Sequence, residues 1–492
     1  MLSPMPADFL LAAARICGAA HVSAGSAIEP RYLEPARYAP GQAAALARPA
    51  STAELAQLLP LAARHGLRVL PQGAHTGLVR AATPVDAESD LLLSTERMRE
   101  VFELDLLDRT LRVSAGFRLG EINERLAAHD LMLAIDLSAD PSVGGMLAHN
   151  TGGTRMLRYG DVRANTLGLT VVLAEGQVLR LGRGLQKDNA ALPLQQLFIG
   201  SSGSLGVISE AVFKLASRPR QQAVALVSPS SLEAVLPLYQ SLMSAMGSLV
   251  SACEGMSRPA MEAALSCGGD LDTERMRWFG GDLPEYTLLV ELSSDLRAEQ
   301  LDLQALLQTW LEGEFGERVS DAVLGADAAC WALRHHISEG LRARGKVLGF
   351  DVSLPRRHFM AFREAGRAWL AEHFAAAELA DFGHLGDGGL HFNLVWPQGA
   401  PALDEAGLRA GVYALVQQFE GSFSAEHGIG PQLQDSYWQL SETNLLDWSG
   451  RLQRLFDPQA LLGLTHWGTA AINPSGLPPD AAHPREPGPA PG

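Results

Sequence analysis

The sequence predicts an α+β protein whose sheets fall into two units, and three observations predict it. Helix-like and strand-like patterns alternate between Ser51 and His129. Three glycine-rich loops then punctuate further strand-like segments, within residues 71–77, 140–153 and 198–208. Near Arg218-Pro219-Arg220 the character changes, and a second strand–helix–strand–helix run follows. A chain of 492 residues is also too long for one ordinary core, so two or three domains are expected.

Each element has its own signal. Residues 1–20 lack a basic leader, and Asp8 interrupts the apolar run, so they read as a short amphipathic helix rather than a signal peptide. Ser51 with Glu54 three residues on forms a capping box. Leu55, Leu58, Leu59 and Ala62 then recur at helical spacing up to Gly66. Residues 67–71, 91–94 and 111–113 read as strands, and 120–129 as a helix. Residues 136–160 read as glycine-rich loop. Residues 167–173 and 177–181 form a hairpin about Glu175-Gly176. Past residue 220, strands are expected at 223–227 and 286–292 and helices at 231–246 and 297–315, giving a second sheet with helices on one face. Residues 457–462 mark a closing turn, and the proline-rich stretch from Asn473 is expected to be disordered. The expected division is therefore 1–47, a helical lead segment; 48–218; 219–455; 456–472, a segment returning to the first unit; and 473–492, the tail.

Composition excludes several classes. A formal net charge of -16 disfavours nucleic acid, whose phosphates need basic patches. The four cysteines, Cys17, Cys253, Cys267 and Cys330, form no CxxC pair, which argues against an iron–sulfur cluster or a cysteine-held zinc and fits a reducing cytoplasm. No run of eighteen apolar residues exists, so no transmembrane helix is expected.

The first chemical constellation is glycine-rich. Pro71-Gln72-Gly73-Ala74-His75-Thr76-Gly77 follows a strand, and its backbone N–H groups can cradle a pyrophosphate without charged side chains. Asp140-Pro141-Ser142-Val143-Gly144-Gly145 and Asn150-Thr151-Gly152-Gly153 add glycines and hydroxyls. Gly200-Ser201-Ser202-Gly203-Ser204-Leu205-Gly206-Val207 is the third loop. No strand–GxGxxG–helix unit accompanies them, so this is not a nicotinamide site of the Rossmann kind. In order and spacing the loops resemble the vanillyl-alcohol-oxidase-type (PCMH) FAD-binding domain, over about residues 48–218. The resemblance implies FAD in an extended groove. It places Pro71, Gln72, Gly73, Ala74, His75, Thr76, Gly77, Thr151, Gly152 and Gly153 at the pyrophosphate and neighbouring groups. It places Asp140, Ser142, Gly144, Gly145, Asn150 and Val207 along the rest of the cofactor, with Tyr159 near the ring. His75 stands where near relatives have asparagine or glycine. Covalent attachment to the flavin and hydrogen bonding to phosphate or backbone are both open to it.

The second constellation gathers metal-ligand chemistry. His384 and His391 lie seven apart in a glycine loop that runs into a strand, and Glu426 follows 35 residues later. Two imidazoles and a carboxylate suit a borderline divalent metal and leave positions open for substrate. Asn393 shares the strand face of His391, and His427 is a spare imidazole able to move a proton. Residues 383–393 and 424–430 resemble the C-terminal domain of the FAD-linked D-2-hydroxy acid dehydrogenases, nearest in pattern to those acting on D-2-hydroxyglutarate. With the first unit, the resemblance extends to about Leu464. It implies zinc, or manganese, on His384, His391 and Glu426, with Asn393 and His427 meeting the substrate. It also implies a mechanism: the metal acidifies the substrate hydroxyl, His427 takes its proton, and hydride passes from C2 to flavin N5.

A third constellation concerns carboxylate recognition. Residues 331–339 read as a helix on which Arg334 and Ser338 share a face, and both match family positions that grip the substrate carboxylate. Gly349 departs from the family, which carries a lysine there; Lys346 is the candidate substitute, and His335 and His336 are candidates to reshape the pocket. The expected activity is oxidation of a small D-2-hydroxy acid, D-2-hydroxyglutarate first and D-lactate second, with electrons leaving to an external acceptor such as an electron-transfer flavoprotein or quinone. A homodimer follows from the resemblance alone. Two other readings stand beside it: a metal hydrolase, which leaves the flavin loops unexplained, and a flavin-binding subunit of a respiratory dehydrogenase.

Overall fold

The computed structural model describes residues 7–137, 139–267 and 278–469. The expected tail, residues 473–492, and the first six residues of the expected N-terminal helix lie outside them. The capping box forms as its spacing predicts. Ser51 Oγ accepts from the Glu54 N–H at 3.1 Å, and the Glu54 carboxylate accepts from the Ala50 N–H at 2.8 Å. The helix Thr52–Arg64 that follows buries Leu55, Leu58, Leu59 and Ala62 against Phe9, Ala13 and Cys17 of the helix Ala7–Cys17.

Two sheets make up the first unit. The four-stranded sheet runs Val22–Ala24, Ala45–Ala47, Asp90–Ser94, Arg68–Gln72, the last three parallel to one another. The N-terminal segment thus supplies two of its strands. The five-stranded sheet is antiparallel, in the order Phe102–Asp105, Thr110–Ser114, Val207–Lys214, Thr166–Val172, Val178–Leu181. Its last two strands are the hairpin expected about Gly176, whose φ of 85° takes the left-handed conformation that glycine allows. Residues 136–160 are not all loop. They contain the helices Val143–His149 and Met156–Tyr159. The first is capped by Ser142 and buries Val143, Met146 and Leu147, which outweighs the poor helix propensity of Gly144 and Gly145.

The second unit is built on an eight-stranded antiparallel sheet with strands between Gln221 and Pro397. The expectation of helices on one face is corrected: helices pack on both. Helices Val235–Met246, Leu303–Glu314, Phe359–His373 and Glu405–Gln418 cover one face. Helices Arg258–Cys267 and Asp327–Arg344 cover the other. In the strand Gln221–Pro229 this buries Ala223, Ala225 and Val227 on one side and Val224 and Leu226 on the other. A strand buried on both faces reads as a continuous apolar run, without alternation to reveal the second layer. The strand Val250–Ser257 is central and fully buried, and its composition had given no strand signal.

The C-terminal segment returns to the first unit. The Val69 N–H donates to Leu461 O at 2.7 Å, and the Gly463 N–H donates to Val69 O at 2.8 Å. Trp467 Nε1 donates to Ser204 Oγ at 2.6 Å.

Candidate active site

Two paired strands form the floor of the site. In Gly389–Pro397, Leu390, Phe392 and Leu394 point into the core, so His391 and Asn393 face the other way. In Gly345–Ser353, Leu348, Phe350 and Val352 do the same, leaving Gly349 and Asp351 on the face of His391. The register sets Gly349 opposite Asn393 and Asp351 opposite His391.

Asp351 organises what lies above. One of its oxygens accepts the backbone N–H groups of Ala425, Glu426 and His427 at 3.1, 2.9 and 2.9 Å, which pins the 424–430 loop over the strands. The same carboxylate lies on the Nδ1 side of two rings, 3.9 Å from His391 and 3.5 Å from His427. The Nε2 atoms of both rings then face Glu426, at 3.5 and 3.8 Å. Asp351, His391, Glu426 and His427 thus bring their ligating atoms within 4.8 Å of one another. His384 stands beside this group, its ring 5.3 Å from that of His391. Its Nδ1 is bonded to Glu254 at 2.7 Å, and the second oxygen of Glu254 accepts from Arg334 Nε at 2.7 Å. Burial alone would raise the Glu254 pKa, but His384 and Arg334 pull it down to about 2. Burial first, and after it the neighbouring His384 and Arg334, push His391 well below the ordinary imidazole range.

These groups share one cavity of about 370 Å³ with the glycine loops of the first unit. Gly73 meets the helix Val143–His149 so closely that a Cβ there would lie 2.0 Å from Ser142 Oγ. Gly153, at φ 123°, would place a Cβ 2.1 Å from Asp136 O. Ser202 Oγ donates to Ile429 O at 2.5 Å, joining the third glycine loop to the loop that carries Glu426 and His427.

Comparison with known proteins decides between the readings. The family model for an FAD binding domain matches residues 43–182, and that for the C-terminal domain of FAD linked oxidases matches 218–463. The mitochondrial D-2-hydroxyglutarate dehydrogenase of Bos taurus is 32% identical over 92% of this chain and 82% of its own. That of Danio rerio is 31% identical over 86% and 78%. The D-2-hydroxyglutarate–pyruvate transhydrogenase of Saccharomyces cerevisiae is 28% identical over 79% of each.

This chain belongs to the FAD-linked D-2-hydroxy acid dehydrogenases. Solved structures agree on the fold of this dehydrogenase: p-cresol methylhydroxylase aligns with a TM-score of 0.71 at 14% identity, covering 92% of this chain and 94% of its own. An alkyldihydroxyacetonephosphate synthase gives 0.72 at 15% identity, over 94% and 85%. The PCMH-type fold, the oxidoreductase class and FAD as cofactor therefore stand.

The dehydrogenase's cavity is suited to FAD on its own evidence. Close glycine approaches shape its wall, and two buried nitrogens on lining residues, His149 Nδ1 and Arg80 Nε, have no protein partner. The histidine–carboxylate group suits a divalent metal in the same way, since neutral imidazole and carboxylate are its ligands. Of the residues singled out in the sequence, Pro71 to Gly77, Ser142, Gly144, Gly145, Thr151, Gly153, Val207, Arg334, Ser338, His384, His391, Asn393, Glu426 and His427 line the cavity. Four do not. Asp140 accepts the Gly120 N–H, Asn150 ties Asp161 to Arg163, Gly152 packs near Met156, and the Tyr159 hydroxyl lies 3.4 Å from Ser293 Oγ. Their motifs shape the wall from behind. His75 lines the cavity with its ring nitrogens 3.5 Å from Arg31 O and 3.2 Å from Thr83 Oγ1. Lys346 does not replace the missing lysine: it sits on the opposite strand face from Gly349, and its Nζ donates to Glu405 at 2.6 Å. His335 lines the cavity, whereas His336 bonds Ala332 O. The sequence reading singled out neither Glu254, His149 and Arg37 nor the organising role of Asp351. Among the described residues no helix is long and apolar enough to cross a membrane.

Proposed function

We propose that this dehydrogenase oxidises D-2-hydroxyglutarate to its 2-keto acid, with residues 48–218 as the flavin-binding unit and 219–455 as the substrate- and metal-binding unit. The observation that carries this reading is the single cavity that joins the flavin loops to His384, His391, Glu426, His427 and Arg334. In the proposal His384, His391 and Glu426 hold a divalent metal, zinc or manganese. Glu254 bonds the Nδ1 of His384, which fixes the tautomer that leaves its Nε2 free to ligate, and Asp351 lies on the Nδ1 side of His391 at 3.9 Å. When bound, FAD supplies a two-electron acceptor for the C2 hydride, and the metal supplies Lewis acidity at the substrate hydroxyl.

The chain's own groups do the rest. His427 takes the hydroxyl proton at Nε2, and Asp351 beside its Nδ1 stabilises the imidazolium that results. Asn393 holds the substrate against the strand floor. Arg334 spends Nε on Glu254, so its terminal N–H groups are available to a substrate carboxylate alongside Ser338. FAD held by the loops at 71–77 and 142–153 would supply the route by which electrons leave to an external acceptor, an electron-transfer flavoprotein or a quinone. A reducing compartment such as the cytoplasm suits its free cysteines.

Turnover of D-2-hydroxyglutarate with an artificial acceptor tests the metal role. H391A and E426A are expected to lose turnover and bound metal together while keeping full flavin content. Undiminished turnover in either variant would remove the metal from the mechanism. H427A, with metal and flavin retained, is expected to lose roughly 10²–10⁴-fold in kcat.

A further inference from the structure

The strand Gly345–Ser353 is the last of the eight-stranded sheet, paired with Gly389–Pro397 on one side and open on the other. The ladder fixes which of its backbone groups face the open edge. Ser353 exchanges hydrogen bonds with Ser422, at 3.0 and 2.8 Å, and Asp351 O accepts from the Ala425 N–H at 3.1 Å. Both residues therefore point their N–H and C=O away from the partner strand, and in an antiparallel ladder every second residue does the same. No register shift interrupts the pairing, so the next such residue is Gly349. Its rung partner agrees: Asn393 O accepts from the Ala380 N–H at 2.9 Å, on the side away from Gly349. Residues 422–425 cover the edge at Ser353 and Asp351 but stop short of Gly349, whose N–H has no protein partner among the described residues.

Gly349 is exposed within the cavity, and a Cβ there would meet Asn393 Oδ1 alone, at 3.1 Å, so the face above it is open. The helix Asp327–Arg344 roofs that face. Its Arg334 guanidinium lies 4.5 Å from the Phe382 ring, which is 5.1 Å from the ring of His391. Farther along, Ile337 and Leu341 share an apolar cluster with Val347 and Val395. Ser338, between these contacts, lies over the rung of Gly349 and Asn393, and all three line the cavity. This notch is one rung, about 7 Å, from Asp351 and His391, a span that a short methylene chain covers.

We propose that the backbone N–H of Gly349 binds the far-end carboxylate of a dicarboxylate substrate, as a third donor beside Arg334 and Ser338. The 2-hydroxy acid end occupies the histidine group. The far carboxylate lies in the notch, with one oxygen toward the helix and the other toward the strand edge. Gly349 stands where the family carries a lysine, so a neutral donor held by the ladder replaces a flexible ammonium. Without a Cβ, the backbone admits the ligand at hydrogen-bonding distance. The proposal rests on the reading of this cavity as the site of a D-2-hydroxy acid dehydrogenase, and it makes Gly349 a position that selects a dicarboxylate over a monocarboxylate.

The test is a binding measurement on the flavin-loaded enzyme, so it does not depend on turnover. Perturbation of the flavin spectrum is titrated with glutarate and with butyrate, in wild type, G349A and G349P. G349A keeps the N–H. G349P removes it, and the strand tolerates proline there because the lost N–H is not a ladder donor. Wild type is expected to prefer glutarate, G349A to stay within about threefold of that preference, and G349P to lose about tenfold or more of it. All three proteins should hold the same amount of flavin. A second measurement needs no variant: in hydrogen exchange of wild type, glutarate should protect one more amide of residues 345–353 than butyrate does. Equal preferences in G349P and G349A, no preference in wild type, or no added protection overturns the proposal. Gly349-dependent glutarate binding without oxidation of D-2-hydroxyglutarate would instead sustain the contact and overturn the reading of the reaction. Oxidation of D-2-hydroxyglutarate with the same KM in G349P and G349A would do the reverse.

Discussion

Glu254 is the residue on which most of the site's electrostatics turn. It is fully buried, and its two oxygens hold His384 and Arg334, a metal-ligand candidate and a carboxylate-binding candidate, in fixed orientations. A buried ion pair adds little net stability, but breaking it leaves an uncompensated charge. E254A is therefore expected to unfold more easily by about 3–5 kcal/mol, measured by denaturant titration. E254Q keeps the shape while losing the charge, and is expected to bind the metal about 10–100-fold more weakly with flavin content unchanged. Metal analysis after dialysis checks this; full retention of metal in E254Q would show that Glu254 does not orient a ligand. The sequence disclosed His391 and Asn393 because alternation along a strand forces them onto one face. It did not disclose Glu254, because Ser251, Ala252, Cys253, Gly255 and Ser257 around it carry no strand signature, and its partners lie 80 and 130 residues away.

At the scale of elements, the flavin cradle depends on how the helix Val143–His149 starts. Ser142 caps it, accepting from the Gly145 N–H at 3.3 Å, and Gly73 rests against that cap. S142A is expected to cost about 1 kcal/mol of stability. G73A should leave the fold in place but weaken flavin retention, because the added Cβ meets Ser142 Oγ and shifts the cap; flavin recovered after gel filtration measures it. Equal flavin in G73A and wild type would mean that this contact does not shape the cradle. The loop at 71–77 was legible from its glycines and the strand before it. The helix was not, since two glycines in seven residues argue against one and only tertiary burial overrules them. The second helical layer on the eight-stranded sheet was hidden for a different reason: its strands are buried on both faces and so show no alternation.

Across the whole molecule, the two units are clamped by one buried acid. Arg155 of the first unit donates through Nε and Nη2 to the two oxygens of Glu291 in the second, at 2.8 and 3.0 Å, and Ser251 and Trp331 complete its shell. R155M is expected to destabilise the protein by roughly 3–5 kcal/mol and to slow turnover, because it leaves Glu291 unpaired and loosens the wall between flavin and substrate. Thermal melting and steady-state rates check it; a variant as stable as wild type would mean that the contact is not a clamp. The order of the units was readable from the change at residues 218–220, but a pairing across 136 residues leaves no local trace. These units enclose one cavity, and in the proposed reaction a D-2-hydroxy acid bound there delivers its hydride to FAD. The measurement that tests it most directly is the anaerobic visible spectrum of the metal- and flavin-loaded protein before and after D-2-hydroxyglutarate is added. Bleaching of the oxidised flavin band, with one 2-keto acid formed per flavin reduced, is the predicted result. An unchanged band with flavin and metal both in place would contradict it.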